Sequence, residues 1–345
     1  MRVLVTGASG FAGSHLAEHI TAHHQDVVLY GTFRHRGRLE NLDDLARAGK
    51  VDVLAALPSS TDLARGRLAL LECDLTDAGA VDRLVAAIRP DRVYHLAAQS
   101  SVPSSFAAPA ATLATNVLGE LNLLEALRAR APRARVLVAG SSEEYGLVRP
   151  DEVPIKETSE LRPLSPYAVS KVAQDRLAFQ YHRSYGLHVV VTRAFNHTGP
   201  RRGAVFATSN FARQIALAER SGGTGVVRVG DLSPERDWHD VRDTVRAYWD
   251  ALEKGAPGEA YNVGSGRTRT VRDMLGLLVG LSHARIEVRE DPARFRPSDV
   301  PLLCADVSKL RQATGWQPTI SFERTLQDLL DWWRARVEKE VGVWT

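Results

Sequence analysis

Cysteine is scarce in this chain of 345 residues, which contains only Cys73 and Cys304. Two cysteines exclude a disulfide framework and are typical of a protein from a reducing compartment. No apolar run approaches the ~18 residues that a membrane-spanning helix needs. The first predicted strand begins at Arg2, which leaves no room for a signal peptide. We therefore expect a cytoplasmic protein without a membrane anchor.

An excess of charge of one sign is lacking as well. Lysine and arginine total 44 against 41 aspartates and glutamates, so the formal net charge is only +3. The basic residues are scattered rather than gathered into one stripe, and the sequence has no nucleic-acid footprint. We expect neither a nucleic-acid partner nor a metal site. The length is sufficient for a large core, in one composite unit or two intimate domains.

Short β-rich runs alternate with helical patterns along the first half of the chain. After the strand that begins at Arg2, the predicted strands span residues 26–34, 68–74, 92–98, 135–140 and 187–193. The predicted helices span about 78–89, 110–131 and 168–185. This alternation predicts an α/β fold with a doubly wound parallel sheet, whose functional site lies at the carboxyl ends of the strands. The stretch 54–67 is interpreted as a surface insertion.

Glycines at 7, 10 and 13 join the first strand to the first predicted helix. Such a turn lets the backbone approach a pyrophosphate, whose charge the helix N-terminus stabilises. The spacing differs from the G-x-G-x-x-G of standard dinucleotide-binding folds. Its position between a strand and a helix nevertheless favours a dinucleotide site over an ordinary turn.

The end of the second predicted strand lacks a carboxylate. An NAD enzyme usually has an acidic residue there for the ribose 2′-hydroxyl, whereas this chain has Arg34, followed by Arg36 and Arg38. Guanidinium groups suit a 2′-phosphate, so the sequence favours NADP over NAD. The alternative is that these arginines form a solvated loop.

Tyr167 and Lys171 are four residues apart in a predicted helix, so their side chains share one face. A neighbouring ammonium favours the phenolate, and we expect it to bring proton exchange by Tyr167 closer to neutral pH. By itself this spacing also occurs on ordinary surface helices. Residues 140–146, after the strand 135–140, bring Ser141 and Glu143 to the same edge as a hydrogen-bonding group and a general base. Ser142 and Glu144, in contrast, are interpreted as turn-capping residues.

These motifs resemble those of the extended short-chain dehydrogenases/reductases that act on nucleotide sugars. The resemblance rests on the glycine turn, on residues 95–98 and 140–146, and on the Tyr-x-x-x-Lys pair. Residues 195–203, 236–242 and 296–301 further resemble the GDP-sugar branch, which includes GDP-mannose 4,6-dehydratases and GDP-4-keto-6-deoxy-mannose reductases. The resemblance implies a Rossmann domain over 1–194 and a smaller α/β substrate-binding domain over 195–345, with about 230–265 returning to the first. It also implies a homodimer or homotetramer.

The resemblance assigns roles residue by residue. Its catalytic positions are Ser141, Glu143, Tyr167 and Lys171. Its NADP(H)-binding positions are Gly7, Gly10, Phe11, Ala12, Gly13, Arg34, Asp74, Leu75, Leu96, Ala97, Ala98, Gln99, Tyr167, Lys171, His197 and Arg202. Its GDP-sugar positions are Ser141, Ser142, Asn196, Arg236, Arg296, Pro297, Ser298 and Asp299. Arg236 and Arg296 suit a diphosphate, because a guanidinium offers a fork of donors to phosphate oxygens.

Within the branch, several segments resemble the reductases. They are residues 10–13, 115–117, 239–241, 261–266 and 314–318, whereas 201–203 and Glu143 resemble the dehydratases. The expected function is therefore NADPH-dependent reduction of the C4 ketone of GDP-4-keto-6-deoxy-mannose to GDP-rhamnose. The alternatives are a GDP-mannose 4,6-dehydratase that recycles its NADP, a nucleotide-sugar epimerase, and a non-catalytic NADP(H)-binding protein.

Overall fold

The structure, a computed structural model, describes residues 1–34, 39–57, 65–294 and 300–339. Arg36, Arg38 and the predicted substrate positions 296–299 therefore lie outside the described residues. Across the described ranges, the helices are too short or too polar for any of them to traverse a lipid bilayer.

In the described part of the chain, eight parallel strands form the main sheet. They are β1 (Arg2–Thr6), β2 (Val28–Phe33), β3 (Val51–Val53), β4 (Leu68–Glu72), β5 (Arg92–His95), β6 (Arg135–Ala139), β7 (His188–Ala194) and β11 (Ala260–Val263). Their order is β11-β7-β6-β5-β1-β2-β4-β3. The predicted doubly wound parallel sheet is thus confirmed. The edge strand β3 was missed, because a three-residue strand gives almost no periodic signal.

Helices cover both faces of this sheet. On the first half of the chain they are α1 (Phe11–His23), α2 (Asp43–Arg47), α3 (Ala78–Ile88), α4 (Val102–Ala107), α5 (Pro109–Leu113), α6 (Gly119–Arg130) and α7 (Pro166–Tyr185). One face packs α1 and α2 into a core with Val3, Val5 and Leu29. The other packs α3, α6 and α7 into a core with Leu4, Val93 and Val136. Burial on both faces explains why these strands are continuously apolar.

The single helix predicted over 110–131 is interrupted. A π-helical turn at Ala114–Leu118 separates α5 from α6. Asn116, inside this turn, donates from Nδ2 to the Ser170 hydroxyl at 2.8 Å and to the Gln99 carbonyl at 3.0 Å. Such turns occur mostly where side chains have a specific task. Here the turn fastens α6 to α7 next to Lys171.

The C-terminal half adds two small sheets and its own core. Its further elements are β8 (Asn196–Thr198), α8 (Ala207–Arg220), β9 (Thr224–Val229), β10 (Glu235–Asp240), α9 (Val241–Lys254), β12 (Thr268–Thr270), α10 (Val271–Gly280), β13 (Arg285–Glu290), β14 (Leu302–Leu303), α11 (Ser308–Thr314) and α12 (Phe322–Lys339). Strand β10 pairs with β8, β12 and β14, and β9 pairs with β13. Helices α8, α10 and α12 bury Ile215, Leu278 and Leu329 in one separate core.

Two elements from the second half return to the main sheet. Strand β11 pairs with β7 in parallel, with Tyr261 opposite Thr192. Helix α9 contributes Val245 and Tyr248 to the core that also contains α1. One edge and part of one face of the main sheet therefore come from residues beyond 240.

Candidate active site

A cavity of about 580 Å³ lies at the carboxyl ends of the main-sheet strands, between the sheet and the C-terminal half. Sixteen of the predicted site residues line it: Gly7, Gly10, Phe11, Ala12, Gly13, Leu96, Ala98, Ser141, Ser142, Glu143, Tyr167, Lys171, Asn196, His197, Arg202 and Arg236. Residues far apart in sequence thus meet at the edge where parallel-sheet proteins bind their ligands.

The glycine turn leaves no space for side chains. A Cβ at Gly13 would lie 2.2 Å from the Gly7 carbonyl oxygen, and one at Gly7 would lie 2.9 Å from Cα of Ala97. Gly7 also has a φ of 70°, which non-glycine residues rarely adopt. Among the described residues, no side chain caps the N-terminus of α1, and its first turn has no acid. The free N–H groups of that turn are therefore suited to a pyrophosphate.

Ser141 ends the loop after β6 and begins a short 3₁₀ turn at Ser142–Glu144. Its hydroxyl accepts from the Glu143 backbone at 3.2 Å, and its own N–H donates to Oε1 of Glu144 at 2.7 Å. This capping box fixes Ser141 at the cavity wall. Glu144 is buried and 3.5 Å from Arg193, in line with the capping interpretation. Ser142, interpreted as a cap, also lines the cavity.

Tyr167 and Lys171 lie in the first turns of α7, which begins after the capping residue Ser165. Nζ of Lys171 donates to the Ala139 carbonyl at 2.7 Å and lies 6.0 Å from the centre of the Tyr167 ring. Burial raises the pKa of Tyr167 to about 12, although a hydrogen bond with Ser141 lowers it. Burial also lowers the pKa of Lys171 to about 8.

The expected shift of the Tyr167 pKa toward neutrality is therefore wrong. The sequence spacing predicts an ammonium beside the phenol. Burial of the hydroxyl nevertheless raises the Tyr167 pKa by more than any effect of Lys171 lowers it, and the charge of Glu143 raises this pKa further. A phenol with a raised pKa keeps its proton at neutral pH and is available there as a proton donor.

Arg202 also lines the cavity and lies against two aromatic rings. Its guanidinium carbon is 3.4 Å from the centre of the Phe206 ring and 4.8 Å from that of Phe11. The His197 ring stacks on the Phe11 ring, with the two ring centres 5.9 Å apart. Burial lowers the pKa of Arg202 to about 10, so the side chain remains a cation at neutral pH. It can hold an anionic group while the rings fix its plane.

Strand β10 brings Arg236 and Trp238 to the same cavity. Between them, Asp237 is fully buried and accepts from Ser265 N, Ser265 Oγ, Gly266 N and Ala305 N at 2.6–3.1 Å. The carboxylate thereby ties β10 to the loop after β11 and to residue 305. This anchoring sets the position of Arg236, one residue before it.

Five predicted cofactor residues do not line the cavity. Arg34 and Asp74 are exposed, Leu75 is buried beside α6, and Ala97 packs under Gly7. Gln99 instead bonds through its N–H to Oδ1 of Asn116 at 2.8 Å.

Several cavity residues were not predicted from sequence. They include Ser100, Ser101, Phe206, Trp238 and Tyr248. Tyr248 reaches the cavity from α9, and Phe206 precedes α8. Nothing in the local sequence marks Phe206 or Tyr248, because only the tertiary fold brings these two segments to the sheet edge. Ser100 and Ser101 follow the strand predicted over 92–98, and Trp238 lies inside the segment 236–242, so their positions gave a signal that was not used. Within the described ranges, no group of three or more histidine, cysteine, aspartate or glutamate side chains could hold a metal ion.

Comparison with known proteins agrees with this geometry. Residues 4–329 match the family model described as GDP-mannose 4,6 dehydratase. The chain is 34% identical over 339 residues to GDP-6-deoxy-D-mannose reductase of Pseudomonas aeruginosa, covering 98% of this chain and 99% of that protein. It is 31% identical over 360 residues to GDP-mannose 4,6-dehydratase of Yersinia enterocolitica, covering 95% and 92%. The structure of RMD from Pseudomonas aeruginosa complexed with NADPH matches with a TM-score of 0.80 and 33% identity, covering 97% and 99%.

Proposed function

The chain belongs to the GDP-mannose 4,6-dehydratase family, and we propose that it reduces the C4 ketone of GDP-4-keto-6-deoxy-mannose with NADPH, which yields GDP-rhamnose. The observation that carries this proposal is the meeting of Ser141, Tyr167 and Lys171 with the glycine turn in one cavity. The full-length match to a protein named GDP-6-deoxy-D-mannose reductase supports reduction as the direction of the reaction. The dehydratase reaction is the second candidate, because Glu143 also lines the cavity.

The residues present fit NADP(H). The uncapped N-terminus of α1 and the glycine turn suit its pyrophosphate, and Arg34, at the end of β2, suits a 2′-phosphate. Lys171 suits the nicotinamide ribose, and Arg202 offers a cation to a phosphate group. When bound, NADPH supplies the hydride.

The side chains can handle the proton that accompanies the hydride. Tyr167 keeps its proton at neutral pH and can donate it to the oxygen that forms at C4. Ser141, fixed by its capping box, can hydrogen-bond the same oxygen as its charge grows. Asn196, Arg236 and the segment 296–299 are proposed to hold the GDP-sugar.

One experiment separates the candidate functions. The pure protein is given GDP-4-keto-6-deoxy-mannose with NADPH and, separately, GDP-mannose with NADP⁺, and the products are identified by mass. We expect NADPH consumption and a product two hydrogens heavier in the first reaction only. Loss of water in the second reaction, without net reduced cofactor, would establish the dehydratase instead. An isomeric product would indicate an epimerase, and cofactor binding without any product would indicate a non-catalytic protein.

Replacing Glu143 with glutamine tests which reaction the carboxyl serves. Ketone reduction needs no base at C5, so we expect Glu143→Gln to keep kcat for reduction within about threefold of wild type. Dehydration requires removal of the C5 proton, and general base catalysis is typically worth ~10²–10⁴-fold. A large loss of the reduction rate would show that Glu143 has a role in C4 chemistry that we do not assign to it. Steady-state rates of NADPH oxidation by the variant and the wild type measure this effect on kcat for reduction.

The pH profile of reduction should follow Lys171. Because burial lowers its pKa to about 8, the ammonium is present below that pH and is lost as the pH rises through it. We expect kcat/KM for NADPH to be level from pH 6 to 7 and to fall by about tenfold per unit above pH 8. A profile that stays level to pH 10 would contradict a role for the charged lysine.

The remaining expectations are also proposed. We propose a Rossmann domain over 1–194 and a substrate-binding domain over 195–345, with about 230–265 returning to the first. A homodimer or homotetramer is supported by the exposed apolar side chains of Phe106, Leu118, Val169 and Phe179 on and beside α4–α7. We propose that the protein acts in the cytoplasm. Sedimentation of the pure protein tests the assembly.

A further inference from the structure

Arg201 is a buried arginine next to the cavity residue Arg202, and no role has been assigned to it. It lies in the loop between β8 and α8, and its backbone has a φ of 72°. Non-glycine residues adopt this conformation only where their surroundings hold them in it. The residue is 7% exposed, although arginine is usually at the surface. Arg201 itself does not line the cavity.

The side chain of Arg201 fastens its loop to α1. Nη1 and Nη2 donate to Oε1 and Oε2 of Glu18, both at 2.6 Å, and Nη2 also donates to Nδ1 of His15 at 2.6 Å. Because a guanidinium has no acceptor, Nδ1 of His15 accepts, and Nε2 of the same ring donates to the Pro200 carbonyl at 2.9 Å. Loop and helix are therefore bonded in both directions.

The same guanidinium also reaches the segment that follows β2. Nη1 donates to the carbonyl of Asn41 at 3.0 Å. Asn41 lies in a short 3₁₀ turn at Glu40–Leu42, and its Nδ2 donates to the carbonyl of Ser9 in the glycine turn at 3.0 Å. Arg201 thus joins three segments that surround the cofactor end of the cavity: α1 with its glycine turn, the turn after β2, and its own loop.

Arg202 has the opposite arrangement. Its backbone N–H donates to the Gly199 carbonyl at 3.2 Å, and its carbonyl accepts from the Ser209 hydroxyl. Its guanidinium lines the cavity against the rings of Phe206 and Phe11 and has no hydrogen-bond or ion-pair partner in the described ranges. Its N–H donors are thus available to an anionic ligand. The adjacent arginine binds the nearby acid, and Arg202 is left for the ligand.

We propose that Arg201 is a positioning residue for NADP(H), which holds the glycine turn, the turn at Glu40–Leu42 and Arg202 in their binding arrangement before the cofactor arrives. A site whose parts are fixed in advance loses less conformational freedom on binding, so it binds more tightly. Four of the five N–H groups of Arg201 are used by Glu18, His15 and Asn41. The inference rests on the proposed function for the choice of NADPH as the cofactor.

The test compares Arg201→Met with Arg334→Met. Arg334, on α12, is a matched control because it binds both oxygens of Glu219 at 2.8 Å and the Leu281 carbonyl at 2.9 Å, yet does not line the cavity. Both changes should lower the midpoint of thermal unfolding. We expect the Kd for NADPH, measured by fluorescence without substrate, to rise by ~10-fold in Arg201→Met and by less than about twofold in Arg334→Met.

Steady-state kinetics supply a second readout that a loss of stability alone would not produce. KM for NADPH should rise in Arg201→Met, whereas kcat at saturating NADPH should stay within about threefold of wild type, because Arg201 does not touch the reacting atoms. Arg201→Lys keeps the charge and can keep one contact with Glu18. It should therefore recover part of the affinity for NADPH.

A third readout requires no cofactor. Amide hydrogen exchange in the cofactor-free protein should become faster at residues 40–42 and 199–203 in Arg201→Met, because these segments lose their shared anchor. The same amides should exchange at the wild-type rate in Arg334→Met.

The outcomes separate this proposal from the proposed function. An equal Kd for NADPH in Arg201→Met and Arg334→Met, or unchanged exchange at both segments in Arg201→Met, would overturn the positioning role. If the wild type binds NADPH but reduces no substrate, the proposed function has failed, and the two Kd values still decide the role of Arg201. Absence of NADPH binding by the wild type would overturn both. Should Arg201→Met not fold, Arg201→Lys and Glu18→Gln weaken the same contacts, and the Kd must rise in both.

Discussion

Replacing Tyr167 with phenylalanine is expected to lower kcat for ketone reduction by ~10²–10⁴-fold, the usual contribution of a positioned acid. The phenol is the acid in the cavity whose pKa burial holds at about 12, so it retains the proton that the C4 oxygen requires. The change removes one hydroxyl and leaves the aromatic ring in place. NADPH affinity, measured by fluorescence, should therefore change by less than about threefold.

Tyr185→Phe is the matched control for this experiment. Tyr185 ends the same helix, ~27 Å beyond Tyr167 along its axis, and does not line the cavity. That variant should reduce the ketone at the wild-type rate. If Tyr167→Phe also retained most of its rate, another group would have to supply the proton. Ser141, whose hydroxyl forms a hydrogen bond with the phenol, would be the first to test.

Replacing Asp237 with alanine is expected to reduce the free energy of unfolding by about 3–5 kcal/mol. Four donors from three residues converge on this buried carboxylate, and each buried donor left without an acceptor costs about 1–3 kcal/mol. Because Arg236 and Trp238 flank the residue, the same change should raise KM for the GDP-sugar. Urea unfolding and steady-state kinetics measure the two effects.

Asp331→Ala provides the comparison for stability. Asp331 is on the exposed side of α12, where it binds Arg334 and Gln327 at the surface, and exposed pairs contribute only ~0–1 kcal/mol. Asp237→Asn keeps the shape of the side chain but exchanges one acceptor oxygen for a donor. Its free energy of unfolding should therefore lie between those of Asp237→Ala and Asp331→Ala. Equal stability of Asp237→Ala and Asp331→Ala would show that the loop after β11 finds other partners.

Much of the main sheet was predictable because its strands are short apolar runs separated by helical patterns. Strands β4–β7 begin and end within a few residues of their predictions, since burial on both faces leaves a strong signal in the sequence. The strand β11 and helix α9 could not be placed in this way. Their local patterns predict a strand and a helix, but only the tertiary fold determines that they join the first half of the chain.

The candidate site was predictable where a short sequence motif determines the local conformation of its residues. The glycine turn follows β1, and the predicted site residues at 140–146 follow β6. Both segments, together with Tyr167 and Lys171 at the start of α7, therefore meet at the carboxyl ends of the strands. The pKa of Tyr167 was not predictable, because it depends on burial that spacing does not reveal. Phe206 and Tyr248 were missed because their neighbours in sequence have no pattern that distinguishes them from core residues.

The return of β11 and α9 to the main sheet also bears on how the chain is made. While a ribosome has released only the first two hundred residues, β7 is an unpaired edge, and the core beside α1 lacks Val245 and Tyr248. An edge of this kind can pair with other chains. Folding of the sheet therefore reaches completion only after residue 263 has been synthesised. A fragment that stops after β7 should be prone to aggregation, however complete its nucleotide-binding motifs are.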